Sequence, residues 1–190
     1  MKIKIAPSFF LLLCVLLWLD RDGVVMIFLL SAALHECGHL LALFLLGVPV
    51  YGMELRASGA ILHTGKTSPT KEAVCAAAGP FVNLLLLGIL FRMQPTAALV
   101  NLLLFVYNLL PLYPLDGGRL LRLLLCSLFG AQAGERASDI ITMLLTLSAA
   151  LGGIVLTCIF HLGLYPCLIG GLFLCKQGIP ACKIRRLGLK

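Results

Sequence analysis

The sequence predicts an all-α polytopic membrane protein with about six transmembrane helices and a small interfacial β-hairpin. Two observations carry this class. Of the 190 residues, 61% are hydrophobic and only 12% are charged, and the mean hydropathy is +1.06. A soluble domain of this size could not bury so much apolar surface. The apolar residues also fall into long runs separated by short polar segments, as in a chain that crosses a bilayer several times.

The predicted spans follow the apolar runs in order. The first is short, because crossing a bilayer usually takes about 20 residues. The six spans are placed at residues 7–19, 24–46, 73–91, 96–110, 140–160 and 164–175. Residues 120–129 are apolar but contain Arg122, so they could either span the membrane or lie on its surface. Residues 130–139 are polar and predict a loop.

A hairpin is predicted at about residues 48–64. Tyr51, Met53 and Leu55 alternate with small or polar residues, and Ser58-Gly59 has turn chemistry. A bare hairpin in lipid would leave its edge amides unpaired, so it must lie at the interface or against the helices. It could offer an edge to an extended peptide. An ordinary interfacial loop explains the same pattern.

The basic residues predict the orientation. With the amino terminus in the cytoplasm, all 15 Lys and Arg residues except Arg21 and Arg92 fall in cytoplasmic segments. We therefore expect a multi-pass cell-membrane protein with both termini cytoplasmic. One transmembrane domain covers residues 1–175, and a basic tail covers 176–190. The net charge of +7 then reflects basic loops in contact with the lipid bilayer, and no nucleic-acid partner is expected.

The sequence His-Glu-Cys-Gly-His occupies residues 35–39, inside the second predicted span. In a helix, His35 and His39 lie on one face and can bind one zinc ion. Glu36 lies about 100° further round, where it can act on a water at that zinc. Such residues are costly inside a membrane and indicate a functional site. The sequence therefore predicts one Zn²⁺ per chain. Cys37 points away from the histidine face and is not counted as a ligand.

A second informative stretch is Asn-Leu-Leu-Pro-Leu-Tyr-Pro-Leu-Asp-Gly-Gly-Arg at residues 108–119. Its two prolines hold the chain extended, and Gly117 and Gly118 would permit a tight turn. Asp116 is the candidate third ligand, because catalytic zinc commonly has three protein ligands. The alternative is that Asp116 caps the helix that follows. The predicted orientation places Asp116 and the histidine pair at similar depth.

The third predicted span contains Ala-Ala-Ala-Gly-Pro-Phe-Val-Asn at residues 76–83. Small residues such as Gly79 let a neighbouring helix approach closely, and Pro80 frees a backbone carbonyl. Asn83 needs a partner in so apolar a helix. An interhelical hydrogen bond is favoured over a catalytic role.

These three motifs, HECGH, AAAGPFVN and NLLPLYPLDGGR, occur in the order found in the site-2 protease family of intramembrane zinc metalloproteases. The resemblance covers roughly residues 20–125 and is closest to the small bacterial branch typified by stage IV sporulation protein FB. It implies that His35, His39 and Asp116 bind zinc and that Glu36 is the catalytic acid/base. The substrate path would then be shaped by Asn108, Pro111 and Pro114. Unlike that branch, no nucleotide-binding CBS domain is expected after the last span. No inserted PDZ domain is expected either.

The expected activity is hydrolysis of a peptide bond in or near a transmembrane segment of a membrane-tethered protein, on the cytoplasmic side. A pro-sigma factor or another membrane-bound regulator would be such a substrate. Two other classes stay open: a membrane metal transporter and a non-catalytic membrane scaffold. A transporter usually shows polar groups along a path and repeated halves. A catalytically inactive scaffold would be expected to lack Glu36 or a ligand. The oligomeric state is not predicted.

Overall fold

The computed structural model describes residues 2–20, 22–56, 59–65 and 67–160, which form mainly helices and one three-stranded sheet. The chain divides into two compact units, the first ending at Leu110 and the second beginning at Pro111. The last predicted span and the basic tail lie outside the described residues.

Four helices form most of the first unit: α1 (Pro7–Leu19), α2 (Val24–Leu45), α3 (Pro69–Leu90) and α4 (Pro95–Leu109). Three of them begin with proline, whose missing N–H costs nothing at that position. Ser68 adds an N-cap to α3 by accepting a hydrogen bond from the backbone N–H of Lys71. The end of α2 is marked by Gly47, with φ of 66°.

Close packing of α2 against α3 depends on Gly38. A Cβ atom at Gly38 would lie 2.7 Å from Val82 Cγ2 and 2.9 Å from the carbonyl oxygen of Ala78. Neighbouring contacts also use small side chains, since Ala76, Ala97 and Ala98 are buried. Helices in lipid gain little from hydrophobic burial against one another and associate through such close backbone approach.

The sheet confirms the predicted hairpin and adds a strand. β1 (Lys2–Ile5) pairs parallel with β2 (Val50–Arg56), and β2 pairs antiparallel with β3 (Gly59–Thr64). The amino-terminal strand was not predicted, because its four residues precede the first apolar run. On the hairpin, the Arg56 guanidinium donates two hydrogen bonds to Glu54, at 2.9 and 3.0 Å. These bonds lower the pKa of the Glu54 carboxyl.

The second unit contains two helices, α5 (Asp116–Phe129) and α6 (Ala131–Phe160). The loop predicted at residues 130–139 is wrong, because α6 begins at Ala131. Only Gly130 turns the chain, with φ of 82°. The polar residues that suggested a loop include good helix formers, and buried Gly134 and Ser138 lie on one face of α6. The polar composition of this segment did not indicate a loop, because a largely polar helix can still bury one face against a neighbour.

Two helices of the described residues are both long and apolar enough to cross a membrane, α2 and α3. Residues Pro7–Trp18 and Pro95–Leu109 form shorter apolar helices. The structure thus establishes a mostly helical chain with a small mixed sheet. The count of six spans remains a prediction.

Candidate metal centre

The two motif histidines lie on the same face of α2. His35 and His39 are 5% and 7% exposed. Their Nε2 atoms are 3.1 Å apart, and the rings meet edge to face with an interplanar angle of 85°. The helical spacing therefore turns the same nitrogen of both imidazoles toward one point.

The other nitrogen of each ring already has an acceptor. His39 Nδ1 donates to the backbone carbonyl of Cys75 at 2.7 Å. A carbonyl cannot donate, so the proton of neutral His39 sits on Nδ1. His35 Nδ1 lies 2.5 Å from Asn83 Oδ1, which is the acceptor end of the amide, because Asn83 Nδ2 donates to Asn101 Oδ1 at 3.1 Å. Both rings consequently present an Nε2 lone pair.

Two lone pairs that face each other at 3.1 Å repel unless a cation or a proton lies between them. In tetrahedral zinc sites the Zn–N bonds of 2.0–2.1 Å separate two ligand nitrogens by about 3.3 Å. Imidazole is also a ligand type that zinc favours. The pair as it stands therefore fits zinc without a change of tautomer.

Gly79 of α3 leaves space beside this pair. A Cβ atom at Gly79 would lie 2.6 Å from His35 Nε2 and closer still to His39 Nε2. Any other residue would fill the space next to the lone pairs. Pro80 follows inside α3 and is buried. Gly79, expected from the sequence only to aid helix packing, thus lies next to the histidines.

Asn83 belongs to a buried chain of polar groups that the sequence analysis did not anticipate in full. Asn101 of α4 donates through Nδ2 to Ser31 Oγ at 3.1 Å and to the carbonyl of Ala97 at 2.9 Å. Asn83 and Asn101 are both 0% exposed, and Ser31 is 4% exposed. Asn101 stands in the middle of an apolar run, which is the signal that drew attention to Asn83. It was overlooked because it lies outside the three motifs.

Glu36 and Cys37 follow His35 on α2. Glu36 is half-buried, and Cys37 is exposed with a free thiol. The one-residue step from His35 turns Glu36 about 100° around the helix axis. It remains the candidate acid/base.

Asp116 is the first residue of α5 in the second unit and is 7% exposed. The N-cap position belongs to Leu115, and no side chain makes a cap hydrogen bond there. Asp116 Oδ1 lies 3.9 Å from Arg119 Nη1, one turn along the helix. The turn expected from Gly117 and Gly118 is wrong, since both lie inside α5. A Cβ at Gly118 would meet the backbone of Leu112, so that glycine serves close packing.

The segment before Asp116 is irregular, as its prolines predict. It contains a cis peptide bond between Tyr113 and Pro114. Pro111 is half-buried and Pro114 is exposed. Asn108, at the end of α4 in the first unit, donates through Nδ2 to the carbonyl of Leu104 in its own helix at 3.0 Å. Their role in a substrate path stays a prediction.

The hairpin carries a separate feature. A shallow cavity of about 240 Å³ is lined by Lys4, Tyr51, Gly52, Met53, Glu54 and His63. His63 Nε2 lies 4.0 Å from Glu54 Oε2, and the His63 side chain is 60% exposed.

Comparisons with known proteins bear on this site. The family model described as peptidase family M50 matches residues 92–152. The chain is 30% identical over 113 residues to a zinc metalloprotease of Methanocaldococcus jannaschii, covering 53% of this chain and 33% of that protein. It is 33% identical over 178 residues to a Mycobacterium tuberculosis protein, Rip3, whose name also describes a zinc metalloprotease. That match covers 83% of this chain and 42% of Rip3. The chain thus spans less than half the length of these curated relatives.

A solved structure resembles the fold over most of both chains. It is a site-2 protease from Methanocaldococcus jannaschii, with a TM-score of 0.70 and 26% sequence identity. The match covers 90% of this chain and 86% of the other. The likeness therefore extends over the part that carries the histidine pair as well as the part that carries Asp116.

Proposed function

Because this chain belongs to the site-2 protease family of zinc metalloproteases, peptidase family M50, we propose that it is an intramembrane zinc metalloendopeptidase. Its substrate is a membrane-tethered protein, cleaved in or near a transmembrane segment on the cytoplasmic side. The observation that carries the proposal is the pair of buried imidazoles whose Nε2 lone pairs converge beside Gly79.

His35 and His39 hold the metal in this proposal, and Asp116 supplies the third protein ligand. Three features support Asp116: it is a buried carboxylate, it follows a rigid irregular segment, and it does not occupy the N-cap position. Bound zinc supplies a Lewis acid that acidifies water and polarises a carbonyl. His35, His39 and Asp116 would hold that Lewis acid, and three protein ligands would leave a fourth position for water.

Glu36 moves the proton. It accepts one from the attacking water while the water oxygen bonds to the peptide carbon. It then gives that proton to the nitrogen that leaves when the C–N bond breaks. The substrate helix must unwind locally first, because a helical peptide bond is shielded by its own hydrogen bonds.

We further propose a topology and a substrate path for this chain. The chain crosses the membrane about six times, with both termini in the cytoplasm. Asn108, Pro111 and Pro114 shape the path to the metal. One candidate substrate is a sporulation sigma factor, as in one branch of the family. A membrane-bound regulator of another kind is an equally suitable substrate.

Glu36→Gln and Asp116→Asn separate the roles. The purified full chain is assayed for zinc content, and cells co-expressing a single-span substrate are assayed for a fragment-size shift. We expect Glu36→Gln to keep zinc and lose cleavage. Asp116→Asn should lower the zinc affinity by more than the roughly 10- to 100-fold loss that is typical when a hydrogen-bond partner of a ligand is removed. Cleavage that survives Glu36→Gln would remove the acid/base role. Full zinc affinity in Asp116→Asn would remove the third ligand.

The same variant addresses the alternatives. A metal transporter would keep metal flux in Glu36→Gln, because no proton transfer to a peptide is needed. A non-catalytic scaffold would show no cleavage in the wild type either.

The hairpin is proposed to hold the unwound substrate as an added strand, because in the described sheet β3 has an outer edge that pairs with neither other strand. Gly59 is a poor probe of this idea, since its φ of 116° would strain any other residue. Ile61 lies inside β3 and is 38% exposed. Ile61→Asn should reduce cleavage while the zinc content stays normal. Unchanged cleavage would reject the added strand.

A further inference from the structure

We infer that Asn101, supported by Ser31, is a positioning residue that sets which nitrogen of His35 is available to the metal. The inference rests on the proposed zinc site but not on the proposed peptidase activity. It follows from the direction of four hydrogen bonds that join α2, α3 and α4 in the first unit.

The orientation of the Asn101 amide is fixed by the backbone carbonyl of Ala97. Ala97 O can only accept, so the Asn101 atom 2.9 Å from it is the donor Nδ2. The same Nδ2 group donates to Ser31 Oγ at 3.1 Å. Asn101 Oδ1 is thereby turned the other way, toward α3. An amide has two different ends, so fixing one end fixes the other.

That orientation passes to the next amide. Asn101 Oδ1 accepts from Asn83 Nδ2 at 3.1 Å, which leaves Asn83 Oδ1 facing His35. Asn83 Oδ1 accepts from His35 Nδ1 at 2.5 Å. His35 therefore keeps its proton on Nδ1, and its Nε2 is left with a lone pair for the metal. Both amides are 0% exposed, so water cannot replace a lost partner at either of them.

The second histidine is held differently. His39 Nδ1 donates directly to the carbonyl of Cys75, a backbone group that cannot change its direction. Asn101 therefore acts on His35 and not on His39. This difference provides an internal control within the same protein.

The decisive variant is Asn101→Leu, which has a similar volume and no acceptor for Asn83 Nδ2. Without that acceptor the Asn83 amide can reverse and offer Nδ2 to His35 Nδ1. The His35 proton then moves to Nε2, where it blocks the metal. Asn101→Asp is the conservative variant, because its carboxyl oxygen still accepts from Asn83 Nδ2 whether or not the group is protonated.

Zinc affinity of the purified full-length chain, measured by competition with a chelator, is the first readout. We expect Asn101→Leu to lose about 10- to 100-fold in affinity, as outer-shell partners of ligating histidines do. Asn101→Asp should stay near wild type. Leu104→Ala is the matched control, since it removes a buried side chain from α4 and leaves the polar chain intact. It should lower the thermal stability without changing the zinc affinity of the folded protein.

The second readout is the tautomer of each imidazole in the metal-free protein, from nitrogen-15 NMR of histidine-labelled samples. Wild type should show both His35 and His39 protonated at Nδ1. Asn101→Leu should add the Nε2-protonated form of His35 alone. Wild-type zinc affinity and an unchanged His35 tautomer in Asn101→Leu would overturn the inference.

If Asn101→Leu does not fold, the wild-type spectrum still decides. A metal-free wild type with His35 mainly protonated at Nε2 would overturn the inference. Neither readout needs a substrate, so a failure of the peptidase proposal would leave these results interpretable by themselves.

Discussion

Each histidine of the pair turns its Nε2 toward the other ring, while its Nδ1 has an acceptor on α3. His39 is held by a backbone carbonyl and His35 by an amide, so the pair depends on both α2 and α3. Gly79 contributes by having no side chain, since the space beside the two Nε2 atoms is the space its Cβ would occupy. The two histidine rings and the missing side chain of Gly79 thus define the same position beside the Nε2 atoms.

Gly79→Ala should abolish or sharply reduce zinc binding. Helix propensity alone predicts that alanine stabilises α3 by up to about 1 kcal/mol. The new methyl group, however, would lie 2.6 Å from His35 Nε2, so it would push the ring away or fill the metal position. Zinc per chain, measured by elemental analysis of the purified protein, checks this.

Gly88→Ala is the control for that experiment. Gly88 lies on the same helix, and nothing is within 4 Å of a Cβ built there. The Gly88→Ala protein should gain the stability that the higher helix propensity of alanine provides, and it should keep one zinc per chain. Full zinc occupancy in Gly79→Ala would show that the metal does not sit beside this glycine.

At this scale the sequence was informative wherever a polar residue interrupts an apolar run. His35, Glu36, His39 and Asn83 were singled out for that reason. Asn101 carries the same signal and was missed, because it lies outside the three motifs. Gly79 was read as a packing residue, because a sequence does not show which atoms a missing side chain would have met.

In the second unit, the helices α5 and α6 pack against each other, and this packing supports the segment that bears Asp116. Tyr113 N donates to Thr142 Oγ1 of α6 at 3.4 Å. The Arg122 guanidinium lies 5.7 Å from the Tyr113 ring centroid and hydrogen-bonds to Glu135 of α6 at 2.5 Å. The segment before Asp116 is thus tied to both helices of its unit.

One face of α6 makes this packing possible. Small residues recur on it every four positions and are buried: Gly134, Ser138, Thr142 and Thr146. Gly134 is the tightest of them. A Cβ there would lie 2.6 Å from the carbonyl carbon of Leu125 and nearer still to the backbone of Cys126. Backbone atoms cannot rotate away as a side chain can.

Gly134→Ala should therefore separate the two helices and destabilise the protein by about 1–3 kcal/mol, the usual cost of overpacking. The change corresponds to a fall of several degrees in Tm, measured by thermal unfolding in detergent. Gly152→Ala on the same helix should not lower Tm, because nothing lies within 4 Å of its Cβ position. An equal Tm for both variants would refute the close approach.

Helices and strands were predicted correctly where the hydrophobic periodicity is strong. They were missed where the prediction used only the composition of a segment. The hairpin followed from alternation and turn chemistry. The helical start of α6 was missed because its first residues are polar, and β1 because a four-residue strand gains its stability only from pairing with β2. Such pairing is a tertiary fact that local sequence does not contain.

For the molecule as a whole, the distribution of charge is the main guide to its setting. A mean hydropathy of +1.06, with Lys and Arg concentrated in alternate segments of the predicted topology, is the pattern expected of a membrane protein whose basic loops lie in the cytoplasm. The helix α3 allows the membrane orientation inferred from the charges to be tested. Its 22 residues extend about 33 Å, slightly more than the hydrocarbon core of a bilayer. Its two ends should therefore lie in different compartments.

We predict that the first turn of α3 faces the cytoplasm and that the loop after it faces outward. Thr70 is exposed in that first turn, and Met93 in the loop is 76% exposed. A membrane-impermeant maleimide should label Met93→Cys in right-side-out vesicles and Thr70→Cys in inverted vesicles, each above the background of the wild-type cysteines. The opposite pattern would reverse the orientation and place the histidine pair toward the outer face. Labelling of both positions from one side would mean that α3 does not cross the membrane, and the charge argument would fail with it.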